Sequence, residues 1–123
     1  MTDKIEEMDT VVVKVEPGIC GFSCQIRAKR SKRRSVQLEI VGSECKQIRT
    51  LSENLPEMSV GELFIPVTKN PVFRAAEKAG CHLSCPIPTA LIKAAEVALE
   101  LALPKEVSMR FVDREEEAAH EEE

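Results

Sequence analysis

Tryptophan and tyrosine are absent from the 123 residues, and phenylalanine occurs only four times. A core built from this chain must therefore be aliphatic, and no aromatic is interleaved in its basic stretch for base stacking. No apolar run approaches the ~20 residues needed to span a bilayer. The stretch Met1–Asp9 holds four acids and lacks the apolar segment of a secretory signal, so a cytoplasmic protein is expected. Histidine occurs twice, and no serine–histidine–acid set, phosphate-cradling glycine loop or pair of carboxylates can be picked out. The sequence thus gives hydrolase and nucleotide-binding readings nothing to stand on.

What is present is an ordinary globular mix, 43% hydrophobic and 31% charged with a net charge of −4. The length fits one domain. Residues 1–9 are expected to be a mobile lead-in, residues 10–112 a single domain, and residues 113–123, with seven acids, a disordered acidic tail.

The β-branched run Thr10–Val15 predicts a first strand, stopped by Pro17-Gly18. Phe22–Ala28 alternates with period two and predicts a second, with Phe22, Cys24, Ile26 and Ala28 inward. Ser35–Val41 repeats the pattern through Val36, Leu38 and Ile40. Short links make these three an antiparallel meander. The period then changes to that of a helix. Cys45–Leu55 stripes Ile48, Leu51 and Leu55 before Pro56, and Asn70-Pro71 is a helix start closed by Gly80. Residues 85–103 predict a mostly buried helix through Leu91, Ala95, Leu99 and Ala102. Glu106–Val112 alternates through Val107, Met109 and Phe111 and predicts a last strand. The order predicts an α+β fold, with three helices packed on one face of an antiparallel sheet of three to four strands.

Five cysteines stand at 20, 24, 45, 81 and 85. In a reducing compartment, an odd number argues against a disulfide framework. Cysteines sharing a tetrahedral metal need sulfurs within about 4 Å of one another, whereas residues four apart on a strand lie roughly 13 Å apart. Cys20 and Cys24 therefore share a metal only if the chain turns between them, and alternation with Phe22 and Ile26 makes Cys24 a small buried hydrophobe. The remaining four fall at loops or element ends, where ligands are presented. Cys45 and Cys85 also precede predicted helices, whose N-terminal partial charge favours thiolate. The competing reading is that all five are reduced cysteines packed as small apolar residues. His82, beside Cys81, is either a ligand, a proton carrier or a solvated loop residue. His120 falls in the acidic tail.

Gly18-Ile19-Cys20-Gly21-Phe22, Glu44-Cys45, Cys81-His82-Leu83-Ser84-Cys85-Pro86-Ile87-Pro88 and Leu101-Ala102-Leu103-Pro104 together resemble a family of small uncharacterised proteins from anaerobic bacteria and archaea. The resemblance covers about residues 10–112, and its pattern retains Cys20, Cys45, Cys81 and Cys85 but often not Cys24. From Cys45 onward the chain is also distantly similar to the TSCPD domain that accompanies some ribonucleotide reductases. It departs by one residue fewer between the paired cysteines and by Pro86-Ile87-Pro88 after them. Both resemblances imply metal binding, as zinc or an iron–sulfur cluster, through Cys20, Cys45, Cys81 and Cys85. Separately, Cys85-Pro86-Ile87-Pro88 resembles the Cys-Pro-x-Pro signature of small sulfur carriers, which implies a persulfide on Cys85.

Six basic residues fill the eight positions Arg27–Arg34. Such a patch contacts phosphates in many proteins, but the acidic net charge and missing aromatics favour a solvated loop attracted to the acidic tail. Docking an unidentified protein through this loop, with no chemistry at the cysteines, is the third reading.

Overall fold

The computed structural model of the chain describes residues 10–115. The expected lead-in 1–9 and most of the acidic tail, 116–123, lie outside the described residues. Within them, four strands form one antiparallel sheet in the order β1-β2-β3-β4. These are β1 Thr10–Val15, β2 Cys24–Lys32, β3 Ser35–Val41 and the two-residue β4 Met58–Ser59. Three helices follow the meander: α1 Lys46–Glu53, α2 Pro71–Ala79 and α3 Ile87–Ala98. Two short 3-10 turns, Val60–Phe64 and Val67–Lys69, lie between β4 and α2. This is the expected α+β architecture.

The alternation of β2 is what orients the sheet. Cys24, Ile26 and Ala28 are buried while Gln25, Arg27 and Lys29 are exposed. Pairing of Ile26 with Val13 and Ile40 continues the apolar row across the meander. Helix α3 covers β1 and β2, α1 lies against β3, and α2 packs on both helices. Ile26, Val36, Leu51, Met58, Val72, Ile87 and Leu91 are the largest fully buried side chains, an aliphatic core as the missing aromatics require. The β2–β3 turn at Arg33-Arg34 has no residue with positive φ. A register shift between Arg30 and Lys32 adjusts the strands to it instead.

Asn70 caps α2 as the sequence predicts. Its Oδ1 accepts from the Val72 and Phe73 backbone N–H groups, and its Nδ2 donates to the Glu62 carbonyl at 3.0 Å. At the other end Gly80, at φ 77°, lets its own N–H and that of Cys81 bond back to Glu77 and Ala76.

Three expectations fail. The fourth strand is Met58–Ser59 beside β3, not Glu106–Val112, which joins no sheet and leaves Met109 and Phe111 fully or nearly fully exposed. Alternation shows only that a segment is compatible with a strand; it supplies no partner. Helix α3 ends at Ala98 rather than 103, because Glu100 turns the backbone to φ 63°, leaving Leu101 and Ala102 exposed. Phe22 is outside β2 and 39% exposed, since the β1–β2 link keeps turning at Gly21 (φ 71°) until Cys24.

Candidate functional site

The topology carries all five cysteines to one end of the sheet. β1 ends there at Val15, which pairs with Cys24, the first residue of β2. Cys20 sits in the connection between them, exposed to solvent, between Gly18 and Gly21, both at positive φ. β3 also ends there, and after Gly42 the chain enters α1 with Cys45 as its N-cap. α2 returns to the same end, where its C-terminal cap delivers Cys81, and a short turn leads to Cys85 immediately before α3. That turn is closed by the Cys85 N–H donating to the His82 carbonyl at 3.1 Å.

Cys24 is buried in the core, and Cys45, Cys81 and Cys85 are half-buried against that same core. The Cys45 thiol donates to Gln47 Oε1 at 3.3 Å, within its own helix start. Burial pushes the Cys24 thiol upward in pKa, and the neighbouring Cys85 and Cys45 sulfurs push it further. Cys81 is raised for the same reasons and by the same two neighbours. Cys85 is raised first by burial; the Ile87 backbone N–H, bonding to its sulfur, pulls the other way, while Cys45 and Cys20 add to the rise. Mutual influence of this kind acts only between nearby groups. It links Cys45 and Cys85 with Cys24 and with Cys81, and Cys20 with Cys85.

Clustered thiols are not yet a metal cage. Among the described residues, no group of three or more histidine, cysteine or acidic side chains is arranged to hold a metal ion. Thiols are donors chemically suited to a soft metal.

Each sequence-predicted site residue can now be located. Cys45, Cys81 and Cys85 come together. Cys20 stands in the exposed β1–β2 link and is felt at Cys85, and Cys24, assigned to the core, is buried there but is also influenced by Cys85 and Cys45. The signal for that second role is its position: the first residue of a strand faces the core and the sheet end at once. His82 is exposed between Cys81 and Cys85, as is its neighbour Leu83. Lys32, Arg33 and Arg34 are exposed at the opposite end of the sheet, and Arg27, in the middle of β2, pairs with Glu39 at 3.5 Å. Arg30 is the exception. It continues the inward row of β2, and its Nε is buried without a hydrogen-bond partner. No described helix is long and apolar enough to cross a membrane.

Fold and site together define a small α+β protein with a cysteine cluster gathered at one end of its sheet. The model of a family of unknown function, DUF6951, matches residues 11–111, and the chain belongs to that family. Among curated proteins and among solved structures, no match to the chain was found.

Proposed function

We propose that this protein binds a soft metal, as zinc or as an iron–sulfur cluster, through Cys20, Cys45, Cys81 and Cys85 in a reducing, cytoplasmic setting. One observation carries the reading: four separate chain segments bring thiols to a single sheet end, the β1–β2 link, the entry to α1, the exit of α2 and the entry to α3. Packing alone needs no such convergence, because small apolar residues would fill the same positions. The TSCPD-like stretch from Cys45 to Pro88 supports the same assignment. A bound metal would tie these segments together, its thiolate ligands having given up their protons on loading. Cys20, on its glycine-flanked loop, has the freedom to close over the other three.

Anaerobic purification followed by zinc, iron and acid-labile sulfide analysis tests the reading, with Co(II) titration as the optical readout. About one equivalent of metal or cluster, lost in both Cys85→Ser and Cys20→Ser, is expected. Metal-free protein that gives no thiolate-to-Co(II) absorption would overturn it.

One observation favours a second reading, a sulfur carrier acting through Cys85. The Ile87 N–H that bonds to the Cys85 sulfur stabilises its thiolate. That thiolate would attack the terminal sulfur of a donor persulfide; the donor's S–S bond breaks, its thiolate leaves, and Cys85 keeps the sulfane sulfur. Burial opposes this by holding the thiol protonated. Incubation with a cysteine desulfurase would then add one sulfur to Cys85 and leave Cys20 and Cys45 dispensable.

A further inference from the structure

Helices α1 and α2 pack side by side. A side chain at Gly80 would touch Gln47 in the first turn of α1, so α2 ends where α1 begins and the two run in opposite directions. Between them opens a groove with a cavity volume of about 640 Å³, inside the ~300–1,000 Å³ of small-molecule sites.

Helical spacing builds its walls. Pro71, Arg74, Ala75, Lys78 and Ala79 recur at i, i+3, i+4, i+7 and i+8, which is one face of α2. Thr50 of α1 and Asn54 at its C-cap, one turn apart, supply the facing wall. Lys69, from the 3-10 turn before α2, joins the lining at the Pro71 end.

The lining thus holds three cations and no carboxylate. Lys69, Arg74 and Lys78 are exposed, and among the described residues none of their side chains is in an ion pair. The helices do carry acids, Glu53 on α1 and Glu77 on α2, but neither lines the groove. Arg74 and Lys78 stand four residues apart, about 5–6 Å between Cβ atoms, where like charges repel. In a chain of net charge −4, this segregation is not a by-product of excess base. An anion lying between the cations turns the repulsion into attraction.

The donors present suit phosphate. A guanidinium offers it two parallel N–H bonds, and the lysines add compact positive charges. Asn54 spends one Nδ2 hydrogen on the Thr50 carbonyl at 2.8 Å and has the second left for a ligand oxygen. Ala75 and Ala79, half-buried, give an apolar strip for a carbon skeleton. No aromatic side chain lines the groove, so a nucleobase has nothing to stack on.

We propose that this groove binds a small organic molecule carrying a diphosphate, with Arg74 and Lys78 on one phosphate and Lys69 on the other. A single phosphate would engage the two α2 cations and leave Lys69 unused at the Pro71 end. No cysteine lines the groove, so the site is independent of what the thiols bind.

Isothermal titration calorimetry of the full chain with inorganic pyrophosphate, at low ionic strength and without added magnesium, tests it. Saturable binding with a dissociation constant below about 1 mM is expected, weakening as salt is raised. The double variant Arg74→Gln, Lys78→Gln should weaken it ~10-fold or more. Its helical circular dichroism should be unchanged, because both side chains are exposed. Arg33→Gln with Arg34→Gln removes the same charge at the β2–β3 hairpin and should leave binding as it was. All these proteins keep the same cysteines, so any heat from pyrophosphate acting on a thiol-bound metal is common to them and cancels. No binding, or an equal loss in the two double variants, would overturn the site. Citrate or single-stranded RNA binding more tightly than pyrophosphate, and through Arg74 and Lys78, would overturn a small diphosphate as its occupant.

Discussion

The two ends of the sheet are built on opposite plans. At the hairpin end a local turn, Arg33-Arg34, presents a run of charges that were neighbours in the chain before folding. At the thiol end nothing is local: Cys20 and Cys85 are separated by most of the domain, and the strands and helices must pack before the two come to the same end of the sheet. A property that exists only in the folded state is a reasonable place for function, and it is also where substitutions should matter most. The hairpin end should tolerate change. That contrast can be broken at several points.

The largest effect is expected at the centre of the thiol end. Cys85→Ser replaces a soft sulfur by a hard oxygen and should weaken Co(II) or zinc binding by ~100-fold or more. Competition titration against a colorimetric chelator measures it. The unloaded fold should survive, because serine differs little in volume from a half-buried cysteine. If metal affinity is unchanged, the thiol end is packing and nothing more.

Asn70→Ala comes next and probes the far side of the molecule, where α2 begins. It removes the cap on Val72 and Phe73 and the bond to the Glu62 carbonyl, all around a buried side chain. A loss of about 1–2 kcal/mol in denaturant unfolding is expected. Metal affinity should change little, although α2 is the helix that delivers Cys81. A large fall would show that the thiol end depends on the register of α2 from its first turn.

The legibility of the sequence follows the same division. The meander was readable because alternation in β2 and β3 reports directly on which side chains face the core, and Cys24, Ile26, Ala28, Val36 and Ile40 lie where it places them. Asn70-Pro71 and Gly80 marked α2 because capping is local chemistry. The pairing of β3 with Met58–Ser59 was not readable, since a two-residue bridge carries no period and is fixed by the tertiary course of residues 54–60. The same limit misled at 106–112, where the pattern was genuine and the partner missing. For the site, loop position selected the right end of the molecule, but the approach of Cys24 to Cys45 and Cys85 is a long-range fact that alternation hides.

Cys24 therefore sharpens the comparison at about 1 kcal/mol. Cys24→Ala is a small core truncation and should cost roughly that through lost packing, leaving metal in place. Cys20→Ala should lose the metal at little cost to the unloaded fold, since Cys20 is exposed. Metal analysis of the two variants separates them, and the reverse result would exchange their roles. The thiols also set a pH dependence. Cys24, Cys81 and Cys85 are all raised in the fold. The folded state thus holds its protons longer than the unfolded chain, and this stabilising contribution is intact below the ordinary thiol pKa. It fades as pH climbs past that value toward the raised ones. Metal-free protein should lose stability in that alkaline window, and Cys24→Ala should flatten the loss.

The smallest effect belongs to the outer face of the sheet, between its two ends. Arg27 and Glu39 face each other across β2 and β3 on the uncovered side of the sheet, 3.5 Å apart with both side chains well exposed. Water and salt screen such a pair, and two long side chains must be ordered to make it. A double-mutant cycle with Arg27→Ala and Glu39→Ala should give a coupling below ~1 kcal/mol that vanishes at high salt. A larger, salt-resistant coupling would mean that this side of the sheet is covered in solution.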